Sequence, residues 1–130
     1  MEELTNSKKD PVIDPEAEIS EFLCFAKAGI GYAFWMRIRY KKPNGIWIKS
    51  DKGESVGVGQ TGKFDISSKI EDLPDGSLVQ LDIDVRAGSD DVYAEQCFVY
   101  KKSSDVAAKY IASGTTFNAA VSLDELVSKE

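Results

Sequence analysis

The chain contains no histidine, and this absence removes several kinds of catalytic and metal site. Ser-His-Asp and Cys-His nucleophile systems, histidine general bases and zinc sites with histidine ligands all depend on that side chain. We also find no pair of carboxylates that the sequence marks as converging for glycosidic chemistry. The sequence therefore predicts a protein that is not an enzyme and that uses no cofactor or metal.

Cysteine is scarce as well, since Cys24 and Cys97 are the only two. Two cysteines so far apart form neither a disulfide scaffold nor a CxxC metal motif. Each lies in an apolar, strand-like run, where a thiol packs as a small hydrophobic side chain. We predict buried, reduced thiols, with a disulfide between two strands as the alternative.

Long apolar runs and a surplus of bases are also missing. No segment approaches the roughly 20 apolar residues that span a bilayer. The start, "MEELTNSKKDPVIDPEAE", has neither the basic region nor the apolar region of a secretory signal. We expect a soluble protein made in the cytoplasm, and release by a route without a signal peptide stays open. The net charge of −6 argues against nucleic acid as the partner.

What is present suits a single folded domain. The chain has 130 residues, and 42% of them are hydrophobic, which is ordinary for a globular domain of this size. Residues 1–17 are polar, contain Pro11 and Pro15, and show no periodicity. We predict a flexible leader over 1–17, able to add one strand, and one domain over 18–130.

Apolar residues alternate with polar ones along most of the domain, which is typical of strands with one buried face. In the clearest run, Phe34, Met36, Ile38 and Tyr40 alternate with Trp35, Arg37, Arg39 and Lys41. Turn signals separate the runs. We predict about eight or nine strands, near 19–27, 32–41, 46–50, 54–58, 63–67, 77–86, 92–101, 107–112 and 115–122. So many short strands favour an antiparallel two-layer β-sandwich.

The C-terminal stretch "SLDELVSKE" gives the clearest helical signal. Ser122 with Glu125 three residues later is a capping-box pattern. We predict a short helical turn there, with a frayed end of the chain as the alternative.

The segment "YAFWMRIRYKKPNGIWIKS", residues 32–50, combines both tryptophans of the chain with five bases. A three-residue loop at 43–45, built as a type I turn with a G1 bulge, would set Tyr40 opposite Ile48 and Arg39 opposite Lys49. Ile38 would then share the buried face with Tyr40 and Ile48. The outward face would carry Trp35, Arg37, Arg39, Lys41, Trp47 and Lys49.

This outward face has two interpretations. Like charges directly opposite each other destabilise a sheet slightly, so Arg39 beside Lys49 needs compensation. A neighbouring strand that carries Asp82 and Asp84 would supply it as a ladder of exposed ion pairs, with the indoles sheltered under arginine stems. If those aspartates lie elsewhere, the unmatched bases are free for a ligand.

The aspartates allow a third interpretation. Asp82, Asp84, Asp90 and Asp91, with the Ser89 carbonyl, could hold Ca²⁺ at a strand end. Calcium-binding loop spacing is missing, and consecutive outward positions on a strand are typical of solvated charge. We therefore predict no metal site.

In its small size, acidity and all-β character, and in the piece "GQTGKFDI" at 59–66, the chain resembles the aegerolysin-type lipid-binding and cytolytic proteins and small insecticidal toxin components of bacteria. The resemblance implies binding to a target surface, and a role as a toxin component. It contains no diagnostic motif and assigns no functional residue.

The sequence thus predicts a non-enzymatic binding module that recognises a glycan or a lipid headgroup. The predicted ligand-binding residues are Trp35, Arg37, Arg39, Trp47 and Lys49, because indole stacks on a sugar ring and arginine binds anionic oxygens. The alternative is a structural or protein-interaction domain. Its edge strands would assemble with another chain, as in a homo-oligomer, or its basic hairpin would meet an acidic protein surface.

Overall fold

The structure, a computed structural model, describes residues 12–27, 30–86 and 91–129, with the backbone alone for 12–16. It consists of eleven strands and one short helix within these ranges. They are β1 Val12–Ile19, β2 Glu21–Ala26, β3 Phe34–Lys41, β4 Trp47–Lys49, β5 Ser55–Val56, β6 Thr61–Asp65, α1 Ile66–Lys69, β7 Leu78–Val85, β8 Val92–Tyr93, β9 Gln96–Tyr100, β10 Val106–Thr115 and β11 Asn118–Ser128.

The strands form two sheets that pack as a sandwich, as the sequence predicts. The larger sheet has the order β1-β9-β7-β3-β4, with β5 beside β3 and β8 beside β7. The smaller sheet has the order β11-β10-β2-β6. Aromatic rings join the layers, since the ring of Phe22 in the smaller sheet lies 6.3 Å from the ring of Phe98 in the larger sheet. No helix in the described part of the chain has the length and apolarity to cross a membrane.

Two parallel strand pairs interrupt the antiparallel pattern, β1 with β9 and β2 with β10. The chain passes from the larger sheet to the smaller one at Ser20, and the connection from β9 to β10 crosses beside it. Hydrogen bonds join the crossings, because the Ser20 hydroxyl donates to the Ser104 carbonyl at 2.7 Å and the Ser104 hydroxyl donates to the Glu18 carbonyl at 2.7 Å. The strands run parallel because both segments change sheets in the same direction.

The 32–50 hairpin has the predicted register. Arg39 lies opposite Lys49, Tyr40 opposite Ile48 and Lys41 opposite Trp47. The turn type is different, because Asn44 has the positive φ, at 63°, and Gly45 does not. Positive φ at the third turn residue, after a proline, is the type II pattern.

Several predicted boundaries differ from the structure. Residues 12–17 belong to β1, although their polar sequence and Pro15 suggested a leader. The predicted strand at 92–101 is two strands, β8 and β9. The helical turn predicted at the C-terminus is wrong, because residues 118–128 pair with β10 as an eleven-residue strand. A local capping pattern provides little stability compared with a full ladder of main-chain hydrogen bonds.

The cysteine prediction is confirmed, since Cys24 and Cys97 are both buried and free. Burial raises the pKa of the Cys24 thiol to about 12 and that of Cys97 to about 11. Both thiols therefore stay protonated at neutral pH and act as packing groups.

The two sheets come close together at Gly62 of β6. A side-chain Cβ at this position would lie 2.6 Å from the Met36 sulfur and still closer to a Val56 methyl carbon. We therefore expect Gly62→Ala to lower the free energy of unfolding by about 1–3 kcal/mol through overpacking. Urea denaturation measures the change. Gly31→Ala is the matched control, because a Cβ there meets no atom within 4 Å, and an equal loss in both variants would contradict the explanation.

Candidate functional site

The pairing of β3 with β7 positions the side chains of the outer face of the larger sheet. Trp35 lies opposite Asp84, Arg37 opposite Asp82 and Arg39 opposite Gln80. Directly opposite residues of an antiparallel pair point to the same face. The two aspartates are therefore neighbours of the basic strand, whereas Arg39 faces an uncharged amide.

Arg39 is held on three sides. Its guanidinium carbon lies 4.8 Å from the centroid of the Trp47 ring and 4.5 Å from that of Tyr93. Its Nε and Nη2 atoms both donate to the Gln80 Oε1, at 2.9 and 2.6 Å. We call Arg39, Trp47, Gln80 and Tyr93 the Arg39 cluster. Two stacking faces and a two-point hydrogen bond fix the plane of the guanidinium before any ligand arrives.

Gln80, which orients Arg39, is itself held in one orientation. Its side chain is buried, and its Nε2 donates to the Ala94 carbonyl at 2.6 Å. The amide group therefore has to present its oxygen to Arg39. Since an amide is neutral, it orients the guanidinium without cancelling its charge.

Arg39 consequently keeps its charge and one free edge. Among the described residues, no carboxylate oxygen lies within 4.0 Å of its guanidinium, and its Nη1 donates no hydrogen bond. The Nη1–Nη2 edge of an arginine is the end that binds carboxylate, phosphate or sulfate oxygens in a bidentate manner.

Arg37 and Lys49 are different, because they share a carboxylate of the protein. The Asp91 Oδ2 lies 2.5 Å from the Lys49 Nζ and 3.8 Å from the Arg37 Nη1. The hydrogen bond with Asp91 raises the pKa of Lys49 above its usual value. We call Arg37, Lys49, Asp82 and Asp91 the Asp91 cluster. It is the ion-pair arrangement that the sequence suggested, although Asp91 rather than Asp82 is the partner.

Asp82 lies on the outer face, opposite Arg37, as predicted, but it is fully buried, which contradicts the prediction of a solvated side chain. Neither of its oxygens accepts a hydrogen bond from any described residue. Burial and the negative charge of the neighbouring Asp91 carboxylate together raise the pKa of Asp82 to about 8. Lys49 and Arg37 oppose the shift. Asp82 is therefore mostly protonated at neutral pH and contributes little negative charge to this face.

Trp35 belongs to a third, separate group on the same face. The Lys52 ammonium lies 4.1 Å from the centroid of its ring, and the Arg86 guanidinium carbon lies 4.9 Å from it. Lys52 also pairs with Asp84 at 3.2 Å. The indole is thus covered by cations of the protein, and this predicted ligand-binding residue is not part of the Arg39 cluster.

The tip of the 32–50 hairpin is more exposed than predicted. Ile46 is 74% exposed and Ile48, which we placed on the buried face, is 41% exposed. The reason is that β4 has only three residues and lies at the edge of the larger sheet, so it has a neighbour on one side only. Ile48 points to the face opposite to that of Trp47, because side chains alternate along a strand.

All five predicted site residues lie on one face, but the structure divides them among three groups. Arg39 and Trp47 are together, Arg37 and Lys49 share Asp91, and Trp35 stands apart. Gln80 and Tyr93, which complete the Arg39 cluster, were not among the predicted ligand-binding residues. The one uncharged polar residue in the run "QLDIDVR" was the signal for Gln80, whereas Tyr93 reaches Arg39 through a strand pairing that local periodicity does not specify.

The calcium interpretation gains no support from the described residues. Ser89 and Asp90 lie outside them, and Asp82, Asp84 and Asp91 all have basic neighbours or are buried. No group of three or more cysteine, aspartate or glutamate side chains within the described ranges could hold a metal ion.

Comparison with known proteins adds no assignment. No protein-family model, no curated protein and no solved structure matches the chain. Any function has to be inferred from the residues themselves.

The buried carboxyl of Asp82 makes stability depend on pH. In the unfolded chain this group ionises near pH 4, whereas in the folded protein it keeps its proton up to about pH 8. Its contribution to the free energy of unfolding is thus greatest below pH 4, falls as the pH rises to about 8, and is constant above. Asp82→Asn removes this decline, so the stability of the variant relative to the wild type should increase from pH 4 to pH 8.

Urea denaturation of both proteins at several pH values measures this difference. Asp84→Asn is the control, because it removes only a partly exposed ion pair and should change the free energy of unfolding by less than about 1 kcal/mol. A difference between Asp82→Asn and the wild type that does not change between pH 4 and pH 8 would show that Asp82 is ionised in the folded protein.

Proposed function

We propose that the protein is a non-enzymatic binding module, and that the Arg39 cluster binds an anionic oxygen group of a glycan or a lipid headgroup. The observation that carries this proposal is the state of Arg39. Its guanidinium is fixed between two aromatic rings and a buried amide, yet it contacts no carboxylate of the described residues.

If Arg39 served only to stabilise the fold, a carboxylate beside it would add to the stability. Other bases of this face have such a neighbour, since Lys49 pairs with Asp91 and Lys52 pairs with Asp84. At Gln80 the protein has an amide instead. An amide restricts the guanidinium to one orientation and leaves its charge available, which lowers the entropy cost of binding an anion.

The surroundings of Arg39 favour the same ligand class. Lys41 lies on the same strand face and contacts no described carboxylate within 4.0 Å, and Lys49 keeps its side chain 42% exposed. A net positive surface on a protein with a charge of −6 concentrates anionic ligands at this face.

The aromatic rings decide between a bare anion and a larger ligand. The Trp47 and Tyr93 rings both lie within 5 Å of the Arg39 guanidinium carbon, and Tyr93 is 41% exposed. A sugar ring or the glycerol region of a lipid would cover these groups, whereas inorganic phosphate would leave them in water.

Tryptophan fluorescence tests the proposal directly. In a Trp35→Phe background, Trp47 is the only emitting indole. Titration with phosphatidylserine vesicles or with a sulfated glycan should give a saturable change of Trp47 emission. Phosphatidylcholine vesicles and neutral glycans should give a weaker response, and the more effective anionic probe distinguishes a lipid from a glycan.

Arg39→Gln should weaken the binding by at least about tenfold, because a charged bidentate contact is lost. Arg86→Gln is the matched control, since it removes another arginine of the same face, one that lies over the aromatic ring at position 35. Equal losses in the two variants, or no response to either anionic probe, would contradict the proposal. A response only to acidic polypeptides would also contradict it and would indicate a protein partner instead.

A further inference from the structure

The free edges of the two sheets are protected to different degrees. An edge strand exposes unpaired main-chain N–H and C=O groups, and proteins usually block such edges with short strands, bulges, charges or covering groups. In this protein, the edges belong to β1 and to β4 with β5 in the larger sheet, and to β6 and β11 in the smaller sheet.

Three of these edges are blocked. Strands β4 and β5 have three and two residues. On β6, the Glu54 carboxylate accepts a hydrogen bond from the Lys63 N–H at 2.7 Å. In β1 the pairing with β9 breaks between Asp14 and Glu18, where Pro15 lacks an N–H to donate.

Strand β11 is different, since it has eleven residues and only its second half is protected. Asp124 is an extra residue in the ladder with β10, and Glu125 follows it. Residues 118–123 pair with β10 without irregularity and carry no charge. Within the described part of the chain, no other strand pairs with them.

The first half of β11 also has an ordinary amphipathic pattern. Ala119, Val121 and Leu123 pack against the core, while the outward positions carry Asn118, Ala120 and Ser122. The outward side chains are small and uncharged, so they would not obstruct a further strand. Phe117, at the hairpin tip beside this edge, is 80% exposed.

We propose that residues 118–122 pair antiparallel with the same residues of a second copy, about a two-fold axis at Ala120. The smaller sheets of the two copies would then form one continuous sheet across the interface. This inference is independent of the proposed ligand, because the Arg39 cluster lies on the outer face of the other sheet.

The segment is complementary to itself in this register. Ala120 lies opposite Ala120 of the second copy, and Ser122 lies opposite Asn118. Asp124, the bulged residue, lies beyond the paired segment, so no acidic residue faces another.

The self-complementarity favours a second copy over an unrelated strand, because the proposed pairing requires no sequence other than that of this protein. The dimer should be weak. Five paired residues in each copy bury less area than the roughly 1,600 Å² of a standard interface, and two chains of charge −6 repel each other. Dimerisation should therefore appear only as the concentration rises.

Sedimentation velocity between about 10 μM and about 1 mM, at physiological ionic strength, tests the proposal. The wild type should shift from monomer to dimer over this range. Ala120→Lys and Ala120→Glu should each remain monomeric, since each sets two like charges opposite each other. An equimolar mixture of the two variants should dimerise again, because the lysine introduced in one copy then faces the glutamate introduced in the other.

Thr61→Lys is the matched control, since Thr61 is an exposed residue of the blocked β6 edge. This variant should dimerise like the wild type, and circular dichroism checks that all variants are folded. A wild type that stays monomeric at about 1 mM would overturn the proposal. So would a dimer that Ala120→Lys does not weaken, or a mixture of charged variants that fails to dimerise.

Discussion

The antiparallel pairing of β3 with β7 is the constraint on which the rest of the structure depends. Eight residue pairs, from Phe34 with Val85 to Lys41 with Leu78, form the centre of the larger sheet. One set of alternate residues builds half of the core, and the other set builds the outer face. Because side chains alternate with a period of two, a slip of one residue would exchange the two faces. The buried Met36 and Ile38 therefore fix the register that sets Arg39 opposite Gln80.

The same pairing explains how an acidic protein keeps a basic, aromatic surface. The bases of β3 differ in their neighbours on β7 and β8. Arg37 lies near Asp91, which partly balances its charge, whereas the protonated Asp82 adds little negative charge. Arg39 is oriented by Gln80 and two rings, so its charge is not balanced. One face of the sheet thus carries both ion pairs and an arginine, Arg39, whose charge has no carboxylate partner among the described residues. Of these groups, Arg39 is the one available to bind an anionic ligand.

Much of the fold and part of the site could be predicted from the sequence, because these features depend on local alternation. The period of two in β3 and β7 gave the strands and their faces, and the loop at 43–45 gave the correct pairing of Arg39 with Lys49. The short loop left few possible registers. The same reasoning predicted that both tryptophans and the bases would share one face.

Features that depend on distant parts of the chain could not be predicted in this way. The burial of Asp82 requires the segment around Asp91 to cover β7, and β1 requires a parallel partner, β9, from much later in the chain. The C-terminal residues form the strand β11 instead of the helical turn that their local sequence favours, because they pair with β10. Tyr93 entered the Arg39 cluster for the same reason, through its pairing opposite Asp82.

The side-chain NMR signal of Arg39 tests the central claim most directly. The Nε–Hε group donates to Gln80 in the free protein, so its resonance should be sharp and protected from rapid exchange. Titration with phosphoserine or with a sulfated disaccharide should shift this resonance saturably, while that of Arg86 stays in place. A broad Arg39 signal in the free protein, or an Arg39 signal that does not move while others do, would contradict the assignment of Arg39 as the fixed anion-binding group.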